Sequence, residues 1–411
     1  MTLKNLSLIL SAGVLAGCAY TTETRRAETI NVAAAIENPT KITTSQLGSK
    51  IRFVPLETSD ASLIANDWTI AFTDDRAIVG NFGTEAGVLV FDLHDGQFLN
   101  RVGQIGAGPE DYANPFFLID PVTSQLIFMS GNGNGYLAYN ADGTYCGKVL
   151  PGLDARSAMP VGVADSIVYA ADPHGFNRER LFRAIHMDSE PVDSFIAFKG
   201  QSGGDFPNAF DGLTIYDNFN GPLRHSMQHL SQVQNQGHTY IVKSFFPITT
   251  GQHTGFKETM CDTVYRLTPS AAVPELIFDM GSHSFPINDL NRKDIKSDNL
   301  IVTDVNVTPK KAVFGVSRGW IGDEDHTLYI GTYDRQTGET RIALASDGIT
   351  DDLGGFIPFA PAFSNPKGDL IGVLTTDDIE EWYGENPDFP RPEWLNTLPD
   401  DSNPILVIVS E

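Results

Sequence analysis

Cationic and imidazole side chains gather in two stretches of this chain. His174, Arg178, Glu179 and Arg180 form the first, and Arg224, His225 and His229 the second. Arginine presents a planar fork that matches a carboxylate, so either stretch suits an acidic ligand such as a uronic acid. A histidine or tyrosine beside such an arginine is also what a lyase needs. The cation neutralises the carboxylate while the base takes a proton. His225 and His229 stand at i, i+4, which puts both on one face of a helix or of a strand and is a metal-ligand spacing. No glutamate takes the zincin position between them. They read as loop residues with His238 and His253, and no metal is assigned. Arg318 and Trp320, and Trp382, Tyr383 and Trp394, are a third resource. Exposed aromatic rings stack on sugars, although aromatic residues also pack between sheets. Solvated surface charge is the alternative for each arginine.

Several chemistries find no support. Gly103-x-x-Gly106-x-Gly108 resembles a phosphate-cradling loop, but Pro109 and Asp111-Tyr112 lead it into a strand rather than a helix. It reads as a crossing between sheets whose glycines permit positive φ, with Glu110 and Tyr112 pinning it. There is no Gly-x-Ser-x-Gly elbow. The acidic runs Asp323-Glu324-Asp325, Asp351-Asp352 and Asp377-Asp378 to Glu381 lack EF-hand spacing and read as solvated turns. No cofactor is expected. With 52 Asp+Glu against 28 Lys+Arg and a net charge of −24, the chain has no basic footprint for nucleic acid.

These residues need a scaffold, and the strand pattern supplies one. Gly87–Leu99 is an apolar run, an Asp-Gly turn and a second run, the signature of a hairpin. The figure recurs around Tyr139, Ile185, Tyr265 and Tyr329, and the terminal run Pro404–Val409 is a sixth candidate. Taking Phe91, Tyr139, Ile185, Tyr265, Tyr329 and Val407 as equivalent, the intervals are 48, 46, 80, 64 and 78 residues. Units of about 45–60 residues with four strands each are propeller-like. Residues 200–225 and 376–403 account for the long intervals as insertions. One extra strand pair is expected near 228–230 and 240–245. The expected fold is all-β: a six-bladed β-propeller with four antiparallel strands per blade. Residues 50–56 form an outer strand beside 404–409, so the N-terminal strand closes the last blade.

The first 17 residues read as a lipoprotein signal peptide, with Lys4, the apolar stretch Leu6–Ala16 and then Leu15-Ala16-Gly17-Cys18 as a lipobox. Cys18 is the expected lipidation site, and a diacylglycerol with an N-acyl chain anchors stably. Residues 18–49 are expected to be a flexible tether, with a helical turn or two over 31–37. The propeller takes 50–411. Cys146 and Cys261 are expected as single buried thiols.

Phe53-Val54-Pro55-Leu56-Glu57-Thr58, Val90 to Phe98, the loop Gly103–Tyr112, Asp262 to Leu267 and Asn403-Pro404-Ile405-Leu406 resemble a group of six-bladed β-propeller lipoproteins of Bacteroidota, over about residues 48–411. Asp111 stands where that group has a glycine. The resemblance implies the fold and an envelope location, probing little of function. The leading expectation is a non-catalytic binding or scaffold protein of the cell envelope, in the outer membrane. Its partner would be a glycan or an envelope protein, its membrane contact the lipid anchor alone, and its ligand residues Arg178, Arg180, Arg224, His225, His229, Arg318 and Trp320, gathered at an axial funnel. A lyase or hydrolase of acidic glycan and a structural subunit of an outer-membrane complex are the alternatives.

Overall fold

The computed structural model describes residues 26–83, 86–150, 153, 159–171, 180–188, 195–198, 211–216, 223–226, 228, 230–241, 245–258, 261–285, 296–321, 323–399 and 401–411. The chain is all-β, built on four-stranded antiparallel sheets. Sheet I comprises Trp68–Phe72, Arg76–Asn81, Gly87–Asp92 and Phe98–Val102. Sheet II comprises Tyr112–Ile119, Gln125–Ser130, Tyr136–Asn140 and Tyr145–Val149. Sheet III comprises Met159–Ala164, Ile167–Ala171, Arg180–His186 and Phe195–Phe198. Sheet IV takes Phe245–Thr250, His253–Glu258, Thr263–Thr268 and Ala271–Phe278. Sheet V takes Leu300–Val307, Lys311–Arg318, Thr327–Asp334 and Thr340–Leu344. Sheet VI joins the chain's two ends: Phe363–Ser364, Leu370–Leu374 and Ile405–Ser410 are completed by Lys50–Pro55, with Phe53 opposite Val407. Pro55 lies on that outer strand, where a missing N–H costs no ladder bond. The six residues taken as equivalent all fall on third strands.

The apolar runs are continuous where a strand, such as Gly87–Asp92 or Ile405–Ser410, is buried on both faces between two neighbouring sheets. In Gly87–Asp92, Val88 and Val90 pack towards sheet II, whereas Leu89 and Phe91 pack towards sheet VI. In Ile405–Ser410, Ile405, Val407 and Val409 face sheet V, and Leu406 and Ile408 face sheet I. Period-two alternation thus divides one strand between two cores. Sheets II and III, III and IV, and IV and V share clusters of the same kind. The first strands of sheets I, II, IV, V and VI surround a cavity of about 310 Å³.

The N-terminal segment departs from the expected tether. From residue 28 it is a belt along the outer edges of sheets IV, V and VI. Glu28–Ile30 pairs in parallel with Leu276–Phe278, a short helix spans Val32–Ile36, and Ile42–Thr43 pairs with Ile349–Thr350. Ile30, Val32 and Ile42 are fully buried; each such side chain contributes about 1.5–3 kcal/mol. Asp351 and Asp352, expected as solvated, tie the belt down. Asp352 accepts from the Ser45 backbone N–H (2.8 Å) and from the Thr44 hydroxyl (2.9 Å). Hydrogen bonds from Ser45 hold its carboxyl below the usual range. Asp351, 4% exposed, accepts from the backbone of Gly354 (2.7 Å) and Phe356 (3.0 Å).

Three further expectations change. The extra strand pair is a three-stranded side sheet of Gly212–Tyr216, Leu230–Asn235 and His238–Ile241. The acidic insertion carries the helix Thr376–Glu385 and a 3-10 turn at Leu395–Thr397. Cys261 is buried, but Cys146 is exposed, because Tyr145–Val149 is an outer strand with one face to solvent. Among the described residues, no helix is long and apolar enough to cross a membrane.

Candidate functional site

The loop Gly103–Tyr112 is a crossing, as its residues suggest. Gly103 has φ +54°. The buried Tyr112 hydroxyl donates to the Val102 carbonyl (3.0 Å) and accepts from the Val88 N–H (3.2 Å), and burial pushes its pKa up to about 12. Asp111 accepts from Gln104 (2.9 Å) and from the Gly108 N–H (2.7 Å), so the residue that departs from the resemblance braces the loop.

Arg224 and His225 lie on a segment, described at 223–226 and 228, that falls in sequence between two strands of the side sheet and reaches the central cavity at Ser226 and Gln228. We call it the plug. Leu223 anchors it, fully buried among residues of sheets V and VI. The Gln228 side chain then acts as a short strand against sheet V: its amide donates to the Val305 carbonyl (2.7 Å) and accepts from the Val305 N–H (3.1 Å). First strands have an edge facing the cavity, and a carboxamide matches its donor and acceptor. Ser226 and Gln228 line the cavity, and none of its described lining residues carries an ionisable side chain.

The plug's other partner is the helix Thr376–Glu385. Thr375 caps it, and Asp378 completes a capping box by accepting from the Thr375 N–H (2.7 Å). The same carboxylate meets His225 Nε2 at 2.8 Å and an Arg224 guanidinium nitrogen at 3.2 Å. Asp378 is pushed down to about 2; burial opposes this, and the hydrogen bonds from His225 and Thr375 prevail. A carboxylate held ionised accepts, so His225 Nε2 carries the proton. His225 is buried and has a backbone φ of +61°, and its ring centroid lies 5.9 Å from that of Trp68. His225 therefore holds the plug rather than facing a ligand.

Beneath the plug lie two buried ionisable groups. Lys257 donates to the carbonyls of Glu258 (3.1 Å) and Val302 (3.3 Å), and burial lowers its pKa to about 8. Asp304 is pushed up to about 7 by burial, opposed first by the Thr303 hydroxyl.

Arg224 reaches past the plug into a cleft of about 620 Å³ between sheets V and VI. Its side chain is 38% exposed. Trp382, Glu385, His326 and Ser346 line the same cleft. Trp382 is half-buried, set edge-on against Phe356 (5.3 Å) and Phe389 (4.9 Å). Glu385 follows it at i+3, on the same side of the helix. His326 Nδ1 lies 2.6 Å from the Asp323 carbonyl and donates to it, which leaves Nε2 as an acceptor. The arrangement offers a sugar-sized ligand an aromatic surface, a guanidinium and neutral and anionic hydrogen-bonding groups.

Of the residues expected to bind ligand, the structure brings Arg224 to a cleft. It does not bring the set to one axial funnel. Arg318 pairs with Glu37 of the belt (3.2 Å). Trp320 is 1% exposed, too enclosed to stack on a ligand arriving from solvent. Arg180 opens the third strand of sheet III, and its side chain is outside the described residues, as are Arg178, His229 and Cys18. His326 and Glu385 were not singled out by sequence; the i, i+3 spacing of Trp382 and Glu385 was the available signal.

A solved structure of similar fold supports the architecture. A Bacteroides fragilis protein whose name reads "Putative exported protein" is 16% identical, with a TM-score of 0.56, over 93% of this chain and 99% of that one. A member of the DUF4221 family from Bacteroides vulgatus is 8% identical, with a TM-score of 0.43, over 88% and 96%. The β-propeller domain of Nup133 from Vanderwaltozyma polyspora is 13% identical, with a TM-score of 0.32, over 71% of each chain. None of the curated proteins matches. The family described as "Domain of unknown function (DUF4934)" matches residues 27–410, and the chain belongs to it.

Proposed function

We propose that this protein is an exported six-bladed β-propeller, closed through sheet VI and anchored through a lipidated Cys18, that binds a glycan without transforming it. The observation that carries the reading is the cleft between sheets V and VI, where a half-buried tryptophan stands beside Arg224, His326 and Glu385. Trp382 stacks on the apolar face of a pyranose ring, and Arg224 meets a carboxylate or hydroxyl of the sugar. Export is supported by the signal-like N-terminus and by the name of the Bacteroides fragilis relative. Ring closure is supported by the apolar cluster that sheet VI shares with sheet I. The described lining of the axial cavity carries no ionisable side chain, so the cleft is preferred to that cavity as the glycan site.

A glycan array probed with the whole chain and with Trp382→Ala tests the reading. Binding to a defined set of sugars should fall about ten-fold or more in the variant, the loss expected of one stacking contact of 1–3 kcal/mol with its neighbours. Absence of binding by the parent chain, or binding indifferent to Trp382, would sink it. Appearance of unsaturated uronic acid products would instead establish the lyase.

A further inference from the structure

A second cavity, of about 350 Å³, lies at the opposite end of the sheets from the cleft. The cleft opens where Ala360 leads into the first strand of sheet VI, whereas this cavity opens at the turns that follow first strands, at Gly251, Pro309 and Pro366. The belt begins on its wall. Arg26, Glu28, His253, Arg266, Glu275 and Arg335 contribute its charged and imidazole side chains.

Arg335 is already committed. It is 4% exposed, meets Glu28 at 3.0 Å and Glu275 at 2.9 Å, and donates to the Thr308 carbonyl at 2.9 Å. That leaves Arg26 and Arg266, neither of which has an ion-pair partner among the described residues. His253 reports the local field: burial first, and then Arg266, lowers its pKa. Two uncommitted guanidiniums on one cavity, in a chain of net charge −24, form a local anion site.

We propose that this cavity binds the phosphate group of an anionic phospholipid headgroup, with Arg26 and Arg266 as the residues that hold it. Each guanidinium fork matches two oxygens of a phosphate. Position selects the lipid. Arg26 lies eight residues after Cys18, and so many residues span at most about 28 Å. An acyl chain on Cys18 keeps this end of the sheets at the bilayer and turns the cleft outwards. The choice of a lipid as the source of the phosphate rests on the anchored reading above; the anion chemistry does not.

The test uses the whole chain carrying Cys18→Ser, which removes the acylation site, and the same chain with R26Q/R266Q. Both are sedimented with vesicles of phosphatidylcholine, alone or mixed with phosphatidylglycerol. The parent should partition to the mixed vesicles about thirty-fold more than the double variant, as expected when two basic residues near an anionic surface are lost. Neither should distinguish itself on phosphatidylcholine alone. Unchanged melting of R26Q/R266Q checks the fold, and His253→Gln, which removes no permanent charge, should retain binding. Equal partition of parent and double variant overturns the proposal. Calorimetry with glycerol phosphate separates the sources: arginine-dependent binding there, with none on vesicles, overturns the lipid assignment. Glycan binding through Trp382 is read at the other end of the molecule, so the two readings fail separately.

Discussion

The belt and the plug both lie outside the four-strand repeat, and they are held in opposite ways. The belt buries Ile30, Val32, Ile36, Ile42 and Leu47, none more than 6% exposed, and is fastened by the enclosed Arg335 group. Among its described residues the plug has one such anchor, Leu223, and its other contacts named above are polar: His225 and Arg224 with Asp378, and Gln228 with Val305. Apolar burial is non-directional and indifferent to pH. The plug's contacts depend on geometry and on the charge of one carboxylate. The belt is thus a permanent part of the core, and the plug is a segment whose attachment can be weakened by itself.

The largest effect should come from Arg335→Met. The substitution preserves much of the apolar stem but removes the guanidinium that Glu28 and Glu275 share. Removing one partner of a buried ionic group costs about 3–5 kcal/mol. Chemical denaturation should show a loss of that size, and a change below about 1 kcal/mol would mean that the belt is not fastened as described. Ile30→Ala should follow at about 2–4 kcal/mol, since a fully buried side chain leaves a void between sheets IV and V.

Asp378→Asn should cost less, about 1.5–3 kcal/mol, the value of hydrogen bonds to a charged group, and its loss should carry a pH signature. Asp378 is depressed to about 2 in the folded protein, against about 3.9 for an unfolded aspartate. A depressed carboxyl contributes stability above its unfolded pKa and loses it as pH falls through the folded one. The parent should therefore lose this contribution between about pH 4 and pH 2. Subtracting the variant's stability from the parent's should isolate that fall, and a difference independent of pH would show that Asp378 is not the charged partner.

The same contrast explains what the sequence disclosed. Strands such as Gly87–Asp92 and Ile405–Ser410 were legible because burial on both faces demands an uninterrupted apolar run. The placing of residues 50–56 beside 404–409 followed from joining the two ends of the chain, and the structure adds the register, with Phe53 opposite Val407. The belt's helix at Val32–Ile36 falls within the helical turn expected over 31–37, but its pairing along the sheets was not legible, since its first strand has three residues. Its apolar side chains face different sheets, so no period survives. At the cleft, Arg224 was legible as a cation near a loop, but its direction was not. That direction is set by Asp378, 154 positions away, and no local pattern encodes a contact of that range. His225 was misread for the same reason: its type suggests a ligand, and its neighbour makes it a fastener.

Gln228 offers the finest test of the plug. Its carboxamide exchanges two hydrogen bonds with the Val305 backbone at the rim of the central cavity. Gln228→Ala removes both bonds, but the freed N–H and C=O face a cavity of about 310 Å³, large enough for water to replace the amide. The net cost should therefore be about 1 kcal/mol. Gln228→Glu is more informative. An ionised carboxylate still accepts from the Val305 N–H, but it confronts the Val305 carbonyl with a second acceptor. Its penalty should exceed that of alanine at pH 7 and shrink towards pH 4, where the protonated acid can donate again. Hydrogen exchange at the Val305 amide should be fastest in Gln228→Ala, where the N–H faces water, and slower in Gln228→Glu, whose carboxylate still accepts from it. Equal exchange in all three proteins would show that the plug does not depend on this pairing and is held by Leu223 and Asp378 alone.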